Sequence, residues 1–377
     1  YILKHQLKVL HIITGLNDGG AEAVLYRLCV HDHQNSHTVI SLMDDGKYGA
    51  LLREIGVAVY CLNMPQGRVT ITGVWRCWLL LRSLNVNLIQ TWMYHADLIG
   101  GVLGRLAGFK KIIWGVHNST LELGKSKRST ILISRLNALF SRFIPSDIVY
   151  CAHKSRQVHE SMGYVVSKGV VIANGYDLSR FYPQPESAFS IRDILNIPSS
   201  IPVLGTVARF DAQKDHLNLI SALGVVKKQG VNFRCLLVGK NMDDKNKVIN
   251  QWLIHHDVLE NTYLLGQRDD IPAIMTALDL HILPSASEAF PNVVAEAMAC
   301  GTPCLTTSVG DAPLIVGDIG WVVAPQNSLE LSQAILKIIE LKKDAEAWSI
   351  RQKLARRRIV DNFGVEKMVD AYGAVWR

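Results

Sequence analysis

The chain lacks any long apolar run. Of its 377 residues 49% are hydrophobic, yet no stretch reaches the ~18 uninterrupted apolar residues of a membrane-spanning helix. The richest candidate, residues 74–84, is broken by Arg76 and Arg82. Residues 9–14 form too short a core for a signal peptide and have no small-residue cleavage site behind them, so export is not expected. Cysteine is also sparse in pattern: seven residues, an odd and scattered set without a C-x-x-C pair. This excludes a disulfide-stapled scaffold, gives no sign of structural zinc and fits a reducing compartment. Charged side chains make up only 19%, and the apolar share is too high for a disordered chain.

What is present is length enough for two domains at about 150 residues each, and an uneven charge. The formal charge of +7 divides into 20 Lys+Arg against 11 Asp+Glu over residues 1–185, and 20 against 22 over the remainder. One half is basic. Short β-branched runs alternate with helix-period segments, the pattern of parallel sheets covered by helices. Strands are expected at 8–14, 37–43, 57–63, 86–92, 111–118, 147–153 and 169–173. A second series follows at 203–209, 233–239, 262–266, 280–284, 303–307 and 321–324. Between the series, Phe181-Tyr182-Pro183-Gln184-Pro185 breaks the periodicity and reads as a linker. The expectation is an α/β chain of two Rossmann-like doubly wound domains, 1–182 and 183–377, facing each other across a cleft. The last ~45 residues are read as helix, with 345–363 long and basic and the final helix packing back on the first domain. Ligands of such sheets bind beyond the carboxyl ends of the strands.

The most informative string is Leu280-His-Ile-Leu-Pro284-Ser285-Ala-Ser287-Glu288-Ala-Phe290-Pro291-Asn292-Val293-Val-Ala-Glu296-Ala-Met-Ala-Cys-Gly301-Thr-Pro303. A buried strand ends at Pro284 and a loop carries Glu288. Pro291 suits a first helical turn and Gly301 a C-terminal cap. N–H groups near Phe290 to Val293 would face an anion, while Glu288 and Glu296 could accept hydrogen bonds from hydroxyls. Taken alone, two such glutamates would read as solvated helix and loop carboxylates; the whole string reverses that. It resembles the Glu-x(7)-Glu signature of retaining glycosyltransferases, specifically glycosyltransferase family 4 of the GT-B fold. The resemblance implies that Glu288 and Phe290 to Val293 hold donor sugar and phosphate and that Glu296 binds the nucleotide ribose.

Three further segments fit that family. Arg209 and Lys214, five apart across a strand-to-helix loop, can converge on one pyrophosphate, and they look like its diphosphate clamp. The turn Thr14 to Glu22 carries Gly19 and Gly20, as in the family's Gly-Gly-Ala-Glu loop; it is not a G-x-G-x-x-G fingerprint, which disfavours a nicotinamide enzyme. His117 ends an expected strand where the family has a histidine contacting the donor sugar. Tyr176 stands, without obvious consequence, for a small aliphatic residue. Gly239-Lys240-Asn241 lacks the second glycine the family often has after its strand, and Arg268 belongs to a base-binding loop that leaves the base unspecified. The chain contains no Asp-x-Asp, the pair on which the other large glycosyltransferase class holds its metal. No metal and no cofactor are therefore expected, the nucleotide-sugar being a substrate.

The basic half contains residues 124–144, with Leu132, Leu136, Leu139, Phe140 and Phe143 at helical spacing among Lys125, Lys127, Arg128, Arg135 and Arg142. Such a helix either lies on an anionic membrane surface or packs on its own sheet. No aromatic and basic motif for nucleic acid is seen. The expected activity is metal-independent, retaining transfer of a hexose or N-acetylhexosamine from a nucleotide-sugar, UDP-sugar favoured. The acceptor would be a lipid-linked glycan of a surface polysaccharide, and the enzyme cytoplasmic and peripheral on the inner face of the membrane. Arg209 and Lys214 would stabilise the leaving diphosphate while Glu288 and His117 position the sugar. A nucleotide-sugar 2-epimerase of the same architecture and a non-catalytic glycan-assembly subunit are the alternatives.

Overall fold

The computed structural model describes residues 6–17, 19–118 and 128–377, with Arg128 described by its backbone alone. Lys125 and Lys127 lie outside the described residues. Every strand expected from the pattern is present, most of them ending one to three residues sooner, because the last residues of each run turn into the following loop. The chain forms two compact units, residues 1–175 with 365–377, and residues 176–364.

Unit 1 runs β1 (Lys8–Ile13), α1 (Gly20–His31), β2 (Ser36–Ser41), α2 (Tyr48–Glu54), β3 (Ala58–Cys61), α3 (Ile71–Ser83), β4 (Leu88–Trp92), α4 (Tyr94–Leu106), β5 (Ile112–Val116), α5 (Arg128–Phe140), β6 (Asp147–Tyr150), α6 (His153–Ser161) and β7 (Gly169–Val171). Unit 2 continues with α7 (Pro185–Ile194), β8 (Val203–Val207), α8 (His216–Lys228), β9 (Arg234–Val238), α9 (Lys247–His255), β10 (Thr262–Gly266), α10 (Ile271–Ala277), β11 (Leu280–Leu283), α11 (Asn292–Ala299), β12 (Cys304–Thr307), α12 (Ala312–Val316), β13 (Trp321–Val323), α13 (Ser328–Leu341) and α14 (Ala345–Phe363). The chain then returns to unit 1 as α15 (Val365–Trp376).

Both sheets are parallel. The first has seven strands in the order β3-β2-β1-β4-β5-β6-β7, the second six in the order β10-β9-β8-β11-β12-β13. In each the chain builds outward in one direction, then crosses back and builds in the other. The reversal falls between β1 and β4 in unit 1 and between β8 and β11 in unit 2. Loops leaving neighbouring strands there diverge to opposite faces and open a crevice at the strands' carboxyl ends.

Unit 1 buries apolar side chains on both faces of its sheet, so β4 and β5 read as continuous hydrophobic runs. Leu25 and Leu28 of α1 share one core with Met368, Tyr372 and Trp376 of α15. Cys77 and Leu81 of α3, Tyr94 and Ala96 of α4 and Ala138 of α5 share the other. The stripe read from the sequence is not the packing face of α5: Ile131, Ser134 and Ala138 turn inward, while Leu132, Leu136, Leu139, Phe140 and the following Phe143 are exposed.

The division between units falls at residue 175 rather than at 182. Tyr176 is held in unit 2, its N–H bonded to the Phe363 carbonyl at 2.9 Å beside a parallel bridge to Gly364. Residues 181–185 are not a free linker, since Phe181 is buried and Pro185 opens α7.

Candidate active site

The crevice of unit 2 is built by the loops after β8 and β11. Beyond β8, Asp211 accepts a hydrogen bond from the Gln213 N–H at 2.9 Å and fixes the tight turn Ala212–Lys214. Asp215 follows in the left-handed region, φ +46°, and caps α8 through the Asn218 N–H. This abrupt turn brings Lys214 back over the strand end. Beyond β11, the Thr307 hydroxyl donates to the Ser285 carbonyl at 2.7 Å and pins the loop. The Ala286 N–H then bonds the Gln213 carbonyl at 2.8 Å, joining the two loops directly.

On that frame Glu288 Oε1 receives two donors, the Lys214 ammonium at 2.6 Å and the Ser285 hydroxyl at 2.7 Å. The two charged side chains are only 21% and 11% exposed. A largely desolvated, charge-assisted pair is short and directional. Arg209 stands at the exposed margin, its Nε 3.3 Å from Asp211 Oδ2. Burial pushes the Asp211 carboxyl upward, but the Gln213 N–H and the Arg209 guanidinium hold it below its ordinary value. The structure therefore brings Lys214 and Glu288 into contact and leaves Arg209 paired beside them.

Helix α11 starts beyond this loop, with Pro291 at its N-cap and not in its first turn, and Val293 in its first turn, where a helix supplies no partner for its N–H groups. Its far end closes as expected: Gly301, at φ +83°, and Thr302 donate back to Met298 and Ala297, a Schellman motif. Glu296 lies one turn beyond Asn292 and is partly buried. Phe290 is turned into the unit, stacked on Tyr176 and edge-on to Phe363, so its ring is an anchor and only its backbone is offered to a ligand. Tyr176 is not inert at all. Its hydroxyl donates to Asn292 Oδ1 at 2.7 Å, fixing the first residue of α11. Arg268 follows the edge strand β10, where Asp270 binds its guanidinium through both oxygens at 2.8 and 2.6 Å; its contacts do not join it to the Glu288 cluster.

Three further residues shape these loops: Gly310, for which the sequence carried no signal, and Gly239 and Asn241, read there only as a departure from the family's Gly-x-Gly. Gly239 has φ +146°, and a Cβ there would fall 2.1 Å from the Ala208 carbonyl oxygen, beside Arg209. Gly310 has φ +53°, and a Cβ would meet the Ala289 and Glu288 carbonyl oxygens at 2.2 and 2.5 Å. Both glycines let neighbouring backbone pack closely against the loops that carry Arg209 and Glu288. Asn241 takes φ +62°, supplying with a side chain that tolerates this region the turn for which a second glycine was missing.

In unit 1, Gly19 caps α1 in extended conformation and Gly20 opens it at the surface. His117 follows β5 and stacks on Trp92, with ring centroids 4.9 Å apart. Burial pulls its imidazole down to about 4, so the ring is neutral at physiological pH. Its Nε2 is buried with no hydrogen-bond partner among the described residues. Behind Trp92 lies a relay. The Trp92 indole donates to His11 Nδ1 at 3.1 Å, which places the His11 proton on Nε2, 2.9 Å from His37 Nδ1. The proton of His37 then falls on Nε2, 3.3 Å from Asp32 Oδ2. Burial works against the Asp32 carboxylate, yet bonds from His37, Asn35 and Gln34 bring it down to about 2.

The profile described as glycosyl transferases group 1 matches residues 188–354, and that of Glycosyltransferase Family 4 matches residues 18–180. The chain is a family 4-like glycosyltransferase. Among relatives of this transferase is the Escherichia coli UDP-Gal:alpha-D-GlcNAc-diphosphoundecaprenol alpha-1,3-galactosyltransferase, 24% identical, with 77% of this chain and 75% of the relative aligned. Another is the Campylobacter jejuni N,N'-diacetylbacillosaminyl-diphospho-undecaprenol alpha-1,3-N-acetylgalactosaminyltransferase, 22% identical over 87% and 89%. The crystal structure of Anabaena HepE with UDP and glucose superposes with a TM-score of 0.83 at 23% identity, covering 98% of this chain and 99% of that one. The transferase thus has the GT-B fold.

One group of metal-ligand types occurs among the described residues of the transferase, His11, Cys29 and His37, with donor atoms within 4.8 Å. The two histidine nitrogens are 2.9 Å apart and share a hydrogen bond. Two nitrogens at about 2.0 Å from a tetrahedral zinc would stand about 3.3 Å apart, and burial pushes the Cys29 thiol strongly upward, away from thiolate. The cluster fits the relay better than an ion. A cavity of about 190 Å³ lies in unit 1, reached by Thr14 after β1, Met43 after β2, Met64 after β3 and His95 in α4. It sits at the carboxyl edge of that sheet.

Proposed function

We propose that this transferase moves a hexose or N-acetylhexosamine from a UDP-sugar to a lipid-linked oligosaccharide of a surface polysaccharide such as O-antigen, capsule or exopolysaccharide. The transfer retains anomeric configuration and uses neither metal nor cofactor. The observation that carries the reading is the largely desolvated Lys214, Glu288 and Ser285 cluster at the β8 and β11 strand ends. A diphosphate entering beside Arg209 would draw the Lys214 ammonium toward its oxygens. That releases Glu288 to accept hydrogen bonds from sugar hydroxyls. As the bond from the anomeric carbon to the diphosphate oxygen breaks, Arg209, Lys214 and the first turn of α11 stabilise the charge left on the diphosphate. The acceptor hydroxyl adds to the same face of the sugar, and its proton passes to the departing diphosphate oxygen. Cationic side chains and a helix end do here what a divalent ion does elsewhere, consistent with the absence of Asp-x-Asp. Glu296 is assigned to the ribose and Arg268 to the base, and His117 and the Gly19-Gly20 loop keep the sugar-binding role that the family resemblance implies.

The lipid-linked acceptor is supported by the names of the two bacterial relatives, both of which act on diphosphoundecaprenol-linked sugars. No helix among the described residues is long and apolar enough to cross a membrane. Residence at the inner face of the plasma membrane would therefore rest on the exposed apolar stripe of α5 and its arginines, Arg135 and Arg142. Nucleic acid is not a partner in this reading.

The test is nucleotide release from a panel of nucleotide-sugars with lipid-linked acceptors, the anomeric configuration of the product being read by NMR. Arg209→Ala and Glu288→Ala should each lower turnover at least about 100-fold with the fold intact. Wild-type turnover in both would refute the assignment, and conversion of donor without acceptor would establish the epimerase alternative.

A further inference from the structure

Among the described residues of unit 1, two helices, not one, leave an apolar face uncovered. Helix α3 buries Gly73, Cys77 and Leu81 against the sheet. Two residues earlier in each turn, about 200° round the helix, it presents Ile71, Trp75 and Leu79, which are 90%, 60% and 48% exposed. Large apolar side chains in a row at i, i+4 and i+8, one of them a tryptophan, are not what a surface helix facing water carries. Arg76 and Arg82 flank the stripe, and the Arg82 guanidinium lies 5.6 Å from the Trp78 ring.

Helix α4 packs on both α3 and α5, so the three form one layer over the same face of the sheet. The outward side of α5 is apolar too, with Phe143 at its end 73% exposed. The charge of this region is one-sided. Residues 55–146 contain 11 Lys+Arg and only two Asp+Glu, Asp97 and Glu122, and Asp97 is fully buried. An apolar surface with a tryptophan, rimmed by arginine and stripped of carboxylates, matches the interface of an anionic bilayer. A protein partner would be expected to meet mixed charge at its rim.

We infer that α3 is a second membrane-docking element, which with α5 forms a two-helix surface that seats unit 1 on an anionic bilayer through Ile71, Trp75 and Leu79. The inference rests on the membrane reading of α5. It adds that a single amphipathic helix is insufficient, and that the face is fixed by the fold before any acceptor binds. The loop Pro65–Val69 that leads into α3 also lines the 190 Å³ cavity, as do Ser129 and Thr130 at the start of α5. Docking both helices would hold the mouth of that cavity near the lipid headgroups.

The experiment is co-sedimentation of the full chain with phosphatidylcholine vesicles, with and without phosphatidylglycerol, at low and high salt. Wild type should bind the anionic vesicles, less so at high salt. The variant Ile71→Ser/Trp75→Ser/Leu79→Ser should bind at least about tenfold less, and Arg76→Gln/Arg82→Gln should lose about thirtyfold. Turnover with a water-soluble acceptor analogue should be unchanged in both. The difference in fluorescence between wild type and Trp75→Phe should shift to the blue on vesicle binding and be quenched by brominated lipid. Equal binding by wild type and the α3 variant, with loss only in Leu132→Ser/Leu136→Ser/Leu139→Ser, would overturn the role of α3 and leave that of α5. No binding by wild type would overturn both. Loss of a dimer rather than of vesicle binding in the α3 variant would make the stripe a contact between copies of this chain and overturn the inference.

Discussion

Oε1 of Glu288 is shared between a cation and a hydroxyl, and this sharing decides what substitutions there do. Lys214→Met removes the cation that neutralises Glu288 and that is also assigned to the diphosphate. It should lower kcat about 100- to 1,000-fold, the range for loss of one preorganised charge stabiliser, while Arg209, exposed and already paired, sustains part of donor binding. Steady-state kinetics with saturating donor would separate the two. Tyr176→Phe is subtler. It deletes one neutral hydrogen bond to Asn292, worth about 1 kcal/mol, and should raise the donor KM about fivefold with little change in kcat. Residues at this scale were legible where a string resembles a family motif: Glu288, Arg209 and Lys214 were singled out by that resemblance and not by their spacing alone. Tyr176 was not, because its partners Asn292 and Phe290 are more than 100 residues away in sequence and no local pattern connects them.

Strands and helices were legible because parallel strands buried on both faces are short apolar runs with little else to be. The helix 345–363 was bounded in advance by its composition and matches α14. The face a helix buries was harder to read. Helix α3 is apolar at 71, 75 and 79 as well as at 73, 77 and 81, so periodicity offers two stripes and only packing chooses. On α5 the stripe with more leucine and phenylalanine lost to one built from Ile131, Ser134 and Ala138, of which the small Ser134 and Ala138 allow close approach to the neighbouring layer. Tight approach also governs the loops. Gly239→Ala would place a methyl within 2.1 Å of a backbone oxygen, which nothing flexible can relieve, and should displace the Arg209 loop. The expected result is at least about tenfold weaker donor binding by calorimetry, with a cost of about 1 to 3 kcal/mol in stability. Trp376→Ala in α15 empties a core position shared with His11 and Tyr372. It should cost about 3 to 5 kcal/mol, seen as a lower urea midpoint for unit 1.

Across the whole molecule, burial holds several histidines neutral: His117 and His159 are brought down to about 4 and His281 to about 3. Unfolded, each titrates near 6.5. Below that pH the unfolded chain binds protons that the folded chain refuses, so this contribution to stability is complete above pH 6.5 and is lost as pH falls toward 4. Asp97 acts in the opposite sense, since burial raises its carboxyl and the folded chain keeps that proton. The buried histidines, His11 among them, outnumber that carboxyl, so stability should fall as pH drops below the ordinary imidazole range. Urea midpoints at about pH 7 and about pH 5 should differ accordingly, and a flat profile would contradict the burial of these rings. The order of synthesis has a consequence as well. Helix α15 completes the core of unit 1 but follows all of unit 2 in the chain. On the ribosome, unit 1 is begun before unit 2 and completed after it: Tyr372 and Trp376 reach their places against Trp92 and His11 only after every residue of unit 2 has been translated. A nascent chain stalled before Val365 would carry a complete unit 2 beside a unit 1 with an open apolar face, the form most exposed to chaperones and proteases.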